Sequence, residues 1–176
     1  MKIAVLGYSG AGKSTLAAQL GKLYQIPVLH LDAVQFLPGW KIRPREQAKE
    51  MVAEFMSQPD WVIDGNYSGF YQLERLEQAD QILLLPFGRL RCLYRVWKRY
   101  RQNRGNVRES MAEGCEEKLD MEFVHWVLFR GRNKKKREAF LKIRRQYPQK
   151  TLVLKTPAQV TVYLQKAYEM TESMGI

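Results

Sequence analysis

Little in this chain points to an oxidising or a lipid environment. Its 176 residues include two cysteines, Cys92 and Cys115. That is too few for a disulfide framework or a four-thiolate zinc site, so a reducing, cytoplasmic compartment is expected. No apolar run approaches the length that spans a bilayer. The first run, Ile3 to Leu6, stops at Gly7 and is too short for a secretory signal core. Histidine is nearly absent: His30 and His125 stand apart and are expected to pack in the core. The seven methionines show no ligand-like spacing. Acidic residues are scarce, 18 against 29 basic ones, for a net charge of +11. The imbalance is local. Residues 89–150 hold 19 Lys and Arg against 7 Asp and Glu, or +12, which leaves −1 for the rest. That segment is expected to meet phosphate, on a small molecule or on nucleic acid. No internal repeat or disordered linker is visible. The length suits one domain, 1–176, with a basic insert at about 89–150.

What is present alternates. Residues 2–6 (KIAVL) are a short apolar run ending in glycine, as in a buried parallel strand. After GYSGAGKST, Leu16, Leu20 and Leu23 recur at helical spacing, which predicts a helix from about Lys13 to Tyr24. Further strands are expected over 26–31, 61–63, 81–85 and 151–154. A helix is expected over 45–57 and a loop over 35–44. Thr156-Pro157 reads as the cap and first-turn proline of a closing helix. Strands alternating with helices predict a parallel sheet covered on both faces. Within the insert, Leu90, Leu93, Tyr94, Trp97 and Tyr100 fall on one helical face. A loop is expected over 103–116, with helix resuming near residue 117. The run 134–137 (KKKR) reads as exposed surface or as an anion patch.

The stretch 7–15 has Gly7, four residues, then Gly12-Lys13-Ser14. Between a strand and a helix, this pattern builds a phosphate cradle. The backbone of Gly7, Ser9, Gly10, Ala11, Gly12, Lys13, Ser14 and Thr15 would surround the phosphates of a nucleoside triphosphate, ATP or another. Lys13 would reach the terminal phosphates, and Ser14 would ligate Mg²⁺. Asp32 and Asp64 directly follow apolar strands, so both belong at the carboxyl edge of the sheet, where ligands bind. Asp64 could hold Mg²⁺ through water. Asp32 could orient an acceptor hydroxyl or take its proton. The insert's arginines, among them Arg89, Arg91, Arg95, Arg99, Arg104 and Arg108, suit a closing lid that stabilises a transferring phosphoryl group. Phe36, Trp40, Tyr67, Phe70 and Tyr71 lie in the loops after strands two and three, where an acceptor would sit. Small-molecule phosphoryl transfer is the favoured reading, with a nucleoside- or nucleotide-like acceptor. A nucleic-acid-associated NTPase is the alternative, although no nucleic-acid reader motif is present.

The motifs GYSGAGKST (7–15), HLDAVQFLPGW (30–40), WVIDGNY (61–67), CLYRVWKRYRQNRG (92–105) and MAEGCEEKLD (111–120) resemble the adenylate-kinase-like P-loop kinases. Within these they resemble the bacterial DNA topology modulation proteins. The resemblance runs over essentially the whole length. It implies an α/β, three-layer P-loop NTPase fold with a five-stranded parallel sheet in the order 2-3-1-4-5 and a small basic helical lid. It implies a metal-side role for Asp64, an acceptor-side role for Asp32 with Asn66 and Tyr67 nearby, and lid roles for Arg95, Arg99, Arg104 and Arg108. One departure stands out. At the end of strand four, similar proteins carry an Asp where this chain has Pro86, and a Pro where it has Gly88.

Overall fold

The computed structural model describes residues 1–102, 110–115 and 119–174. Five strands form one parallel sheet: β1 (Lys2–Gly7), β2 (Val28–His30), β5 (Trp61–Asp64), β6 (Gln81–Leu85) and β7 (Thr151–Val153), in the order β2-β5-β1-β6-β7. Two further strands, β3 (Phe36–Leu37) and β4 (Lys41–Ile42), pair antiparallel with each other in a separate hairpin. The sequence predicts a loop there. Setting the hairpin aside, the large sheet's strands run 2-3-1-4-5 in chain order, as the resemblance implies.

Side chains alternate across a strand, and both faces are apolar here. Ile3, Val5, Leu83 and Leu85 face one side. They pack with Leu16 and Leu20 of α1 (Lys13–Tyr24), Cys92 and Val96 of α5 (Arg89–Gln102), and Val127 of α6 (Met121–Leu128). α8 (Pro157–Met174) adds Val160 and Leu164, and its predicted cap is present: the Gln159 N–H donates to Thr156 Oγ1 at 3.2 Å. Ala4, Leu6, Ile82 and Leu84 face the other side. They pack with Ala48 and Val52 of α3 (Arg45–Met56), Leu76 of α4 (Gln72–Gln78) and Ile143 of α7 (Lys134–Gln146). Helices therefore cover both faces.

Three expectations change. β2 is shorter than predicted, and Asp32 lies in the first turn of a short helix, α2 (Leu31–Gln35). α6 begins at Met121, where Asp120 caps it by accepting from the Phe123 N–H at 2.7 Å. On α5 the buried residues are Cys92 and Val96, whereas Leu90, Tyr94 and Trp97 are exposed. The aromatic face of that helix is thus not its core face, because α5 turns its small residues toward the loop that follows β1. Among the described residues, no helix is long and apolar enough to cross a membrane.

Candidate active site

Register brings the carboxyl ends of four strands level. Gly7 pairs with Leu85, while Val5, Asp64 and His30 lie side by side on β1, β5 and β2. The phosphate loop leaves β1 here. Gly12 precedes α1 with no side-chain cap, so the first-turn N–H groups of the helix are left for an anion. Two glycines fit the loop under α5. Gly10 has φ +79°, and a β-carbon there would fall 2.5 Å from the Cys92 carbonyl oxygen. Gly12 has φ +92°, and its β-carbon would fall 2.5 Å from Arg95 Nη2. Arg95 therefore lies directly against the phosphate loop, with its guanidinium 6.0 Å from the Phe87 ring centroid. Arg99, one turn further along, lines the same cleft.

Asn66 ties the loop to its neighbour strand. Its Oδ1 accepts from the Gly7 N–H at 3.0 Å, and its Nδ2 donates to the Gly7 carbonyl at 2.6 Å. Asn66 also lines the cleft, yet both ends of its amide are engaged with Gly7. Its visible role is to hold the loop rather than to touch an acceptor. Asp64 is buried; Oδ1 lies 3.1 Å from His30 Nδ1, and Oδ2 is buried without a hydrogen-bond partner. The loop after Asp64 is fixed from below by Arg75. This fully buried guanidinium donates to the carbonyls of Phe70 (2.8 Å), Tyr67 (2.9 Å) and Gly65 (3.4 Å). Burial pulls its pKa down to about 10, against the opposing charges of Glu74 and Asp64. It stays charged at neutral pH.

Asp32 faces the same space from α2. Its Oδ1 accepts from the Tyr67 hydroxyl at 2.7 Å, and Oδ2 has no partner among the described residues. Burial raises the Tyr67 pKa, and the charge and hydrogen bond of Asp32 raise it further. The phenol is therefore a permanent donor. Phe36 and Trp40 pack edge to face, with centroids 5.2 Å apart, in and beside the hairpin. Tyr67 stacks on Phe70 at 5.2 Å. One open cleft of about 2140 Å³ is lined by Ser9, Gly10, Gly12, Lys13, Ser14 and Thr15 together with Asp32, Phe36, Trp40, Asn66 and Tyr67. The strap at 110–115 meets the hairpin: Gly39 N–H donates to the Gly114 carbonyl at 3.2 Å, and Cys115 Sγ lies 3.3 Å from the Leu37 carbonyl.

The α/β fold, a five-stranded parallel sheet with helices on both faces, is shared with solved kinase structures. The chain superposes on a shikimate kinase from Acinetobacter baumannii in complex with shikimate, with a TM-score of 0.57 and 17% identity over 98% of this chain and 93% of that one. A shikimate kinase from Bacteroides thetaiotaomicron matches with a TM-score of 0.50 and 14% identity, over 98% of each chain. An uncharacterised protein from Eubacterium ventriosum matches with a TM-score of 0.50 and 14% identity over 98% and 99%. No protein-family pattern and no curated protein matches the chain. The likeness to these structures does not show the link to DNA topology modulation.

Arg104 and Arg108 lie outside the described residues. Arg89 sits 5.8 Å from the Phe129 ring centroid, and neither it nor Arg91 lines the cleft. Ala11 is buried beneath the loop, with its N–H donating to the Tyr8 carbonyl at 3.0 Å. At the position of Pro86 the chain continues into buried Phe87, whose carbonyl accepts from Arg132 Nη1 at 2.5 Å. His30 is not simple core, since it lines the cleft and meets Asp64. His125 is exposed and packs on Phe129, with ring centroids 5.2 Å apart. The run 134–137 is divided: Lys134, Lys135 and Arg137 are exposed, whereas Lys136 is half-buried and lines the cleft. A lone apolar position would have betrayed none of these. His30 gains its partner from a residue distant in the chain, whereas Arg75 reaches carbonyls of the loop just before its own helix.

Proposed function

We propose that this chain is an ATP- and Mg²⁺-dependent small-molecule kinase of the adenylate-kinase-like class, acting in the cytoplasm as one domain. The observation that carries this reading is the single cleft. A phosphate loop with Lys13 and an acid with an open oxygen, Asp32, line the same space. The loop N–H groups and Lys13 bind the triphosphate, and Arg95 and Arg99, with Arg104 and Arg108, stabilise charge on the transferring group. Mg²⁺ fits the donor set, because the orphaned Asp64 Oδ2 would accept from a water on the ion and Ser14 Oγ would ligate it. When bound, the ion would offset charge on the phosphate oxygens.

Tyr67 fixes Asp32 so that Oδ2 can accept from an acceptor hydroxyl. The acceptor's hydroxyl oxygen attacks the terminal phosphorus, and the bond from this phosphorus to the oxygen that leaves on ADP breaks. The hydroxyl proton passes to Asp32 and then to solvent. Because the transition state is loose, alignment contributes more than basicity. Phe36, Trp40 and Tyr67 offer ring faces to a nucleoside- or nucleotide-like acceptor. The shikimate bound in one structural relative adds a hydroxylated ring acid as a second acceptor class.

ADP formation from ATP and Mg²⁺ with nucleosides, nucleotides, shikimate and other hydroxylated metabolites tests this. One acceptor class should raise turnover well above the water background. Lys13→Ala and Asp32→Asn should each lower that rate by about a hundredfold or more. Turnover that rises only on adding DNA would overturn the reading in favour of a nucleic-acid-coupled NTPase.

A further inference from the structure

Lys136 is separated from the phosphate loop by more than 120 residues of chain, yet three contacts bring it there. Trp126 Nε1 donates to Ser9 Oγ at 3.3 Å, which anchors α6 on the loop. Lys136 Nζ lies 4.1 Å from the Trp126 ring centroid. The turn between the two helices is fixed: a β-carbon on Gly131 would fall 2.8 Å from the Trp126 carbonyl oxygen, and Asn133 Oδ1 accepts from the Lys136 N–H at 2.9 Å.

We propose that Lys136 is a second lysine of the nucleotide site, binding the terminal phosphate group from beside the loop. The inference rests on the nucleotide-binding reading above. No acidic side chain pairs with Lys136 among the described residues, although Lys134 on the same turn approaches Glu138 at 3.9 Å. Burial, and then the charge of Lys13, lowers the Lys136 pKa. Two ammonium groups thus face one space with no anion between them, an arrangement whose repulsion a phosphate would reverse. Lys13 defines which phosphate, because the lysine of this loop pattern reaches the terminal end of the chain of phosphates. The indole face holds the ammonium in reserve until the anion arrives.

The test is calorimetric titration of ATP and of ADP, each with Mg²⁺, into wild type, Lys136→Gln, Lys136→Arg and Lys135→Gln. Thermal melts would establish that each variant is folded. Lys136→Gln should weaken ATP binding about tenfold, the scale of one charge-assisted hydrogen bond, and change ADP binding by less than about twofold. Lys136→Arg should recover part of the loss. Lys135→Gln, an exposed neighbour, should match wild type. Equal affinities for wild type and Lys136→Gln, or an equal loss for ATP and ADP, would overturn the assignment while leaving the kinase reading intact. A wild type that binds neither nucleotide would remove both.

Discussion

Arg75 shows how a single residue can shape the site without entering it. Its guanidinium fork meets three backbone carbonyls at once, which a lysine cannot do. Every one of those carbonyls belongs to the loop that carries Asn66 and Tyr67. Arg75→Met leaves three carbonyls without their charged donor, and its expected cost is about 3–5 kcal/mol in urea unfolding. Arg75→Lys should recover less than half of that loss. Both variants should also loosen Tyr67, and with it the orientation of Asp32, so turnover should fall in the fraction that remains folded.

At the scale of elements, the contact that matters is α5 on the phosphate loop. Gly10 allows it, and the effect of substitution can be separated from that of backbone conformation alone. Gly39 also has a positive φ, +73°, but a β-carbon there meets nothing within 4 Å. Gly39→Ala should therefore cost only about 1 kcal/mol. Gly10→Ala should cost about 1–3 kcal/mol more, through overlap with the Cys92 carbonyl and Val96. It should also weaken ATP binding by displacing Arg95, which titration would read directly. The elements themselves were largely legible in the sequence. The runs KIAVL, WVI and QILLL are contiguous apolar stretches, and the loop pattern names its own strand and helix. The hairpin at 36–42 was not legible, because its two-residue strands carry no periodicity. The true core face of α5 was hidden as well: Cys92 and Val96 are small and are outnumbered by aromatic residues on the exposed side. The places of Lys136 and His30 depend on which distant strands and helices end together, and no local pattern encodes that.

For the whole molecule, the strap at 110–115 packs on the β3–β4 hairpin, and its Ser110 and Met111 line the cleft. Gly114 has φ +71° at the junction, and its β-carbon would fall 3.3 Å from Pro38. Gly114→Ala should release the strap. A less covered site admits water as a competing acceptor, so the ratio of ATP hydrolysis to transfer should rise about two- to tenfold in a coupled ADP assay. The +12 of the insert also takes on a different meaning at this scale. Arg95, Lys98, Arg99 and Lys136 line the cleft, so part of that charge lies in the cleft rather than on an outer surface.

The β3–β4 hairpin pairs with itself and with no strand of the large sheet. The phosphate loop grows directly out of the sheet, whereas Phe36 and Trp40 sit on a short hairpin beside it. The hairpin can therefore be exchanged without cutting a strand of the large sheet. On the proposed kinase reading, a different 36–42 segment with a strap cut to match should change the alcohol accepted while ATP binding is retained.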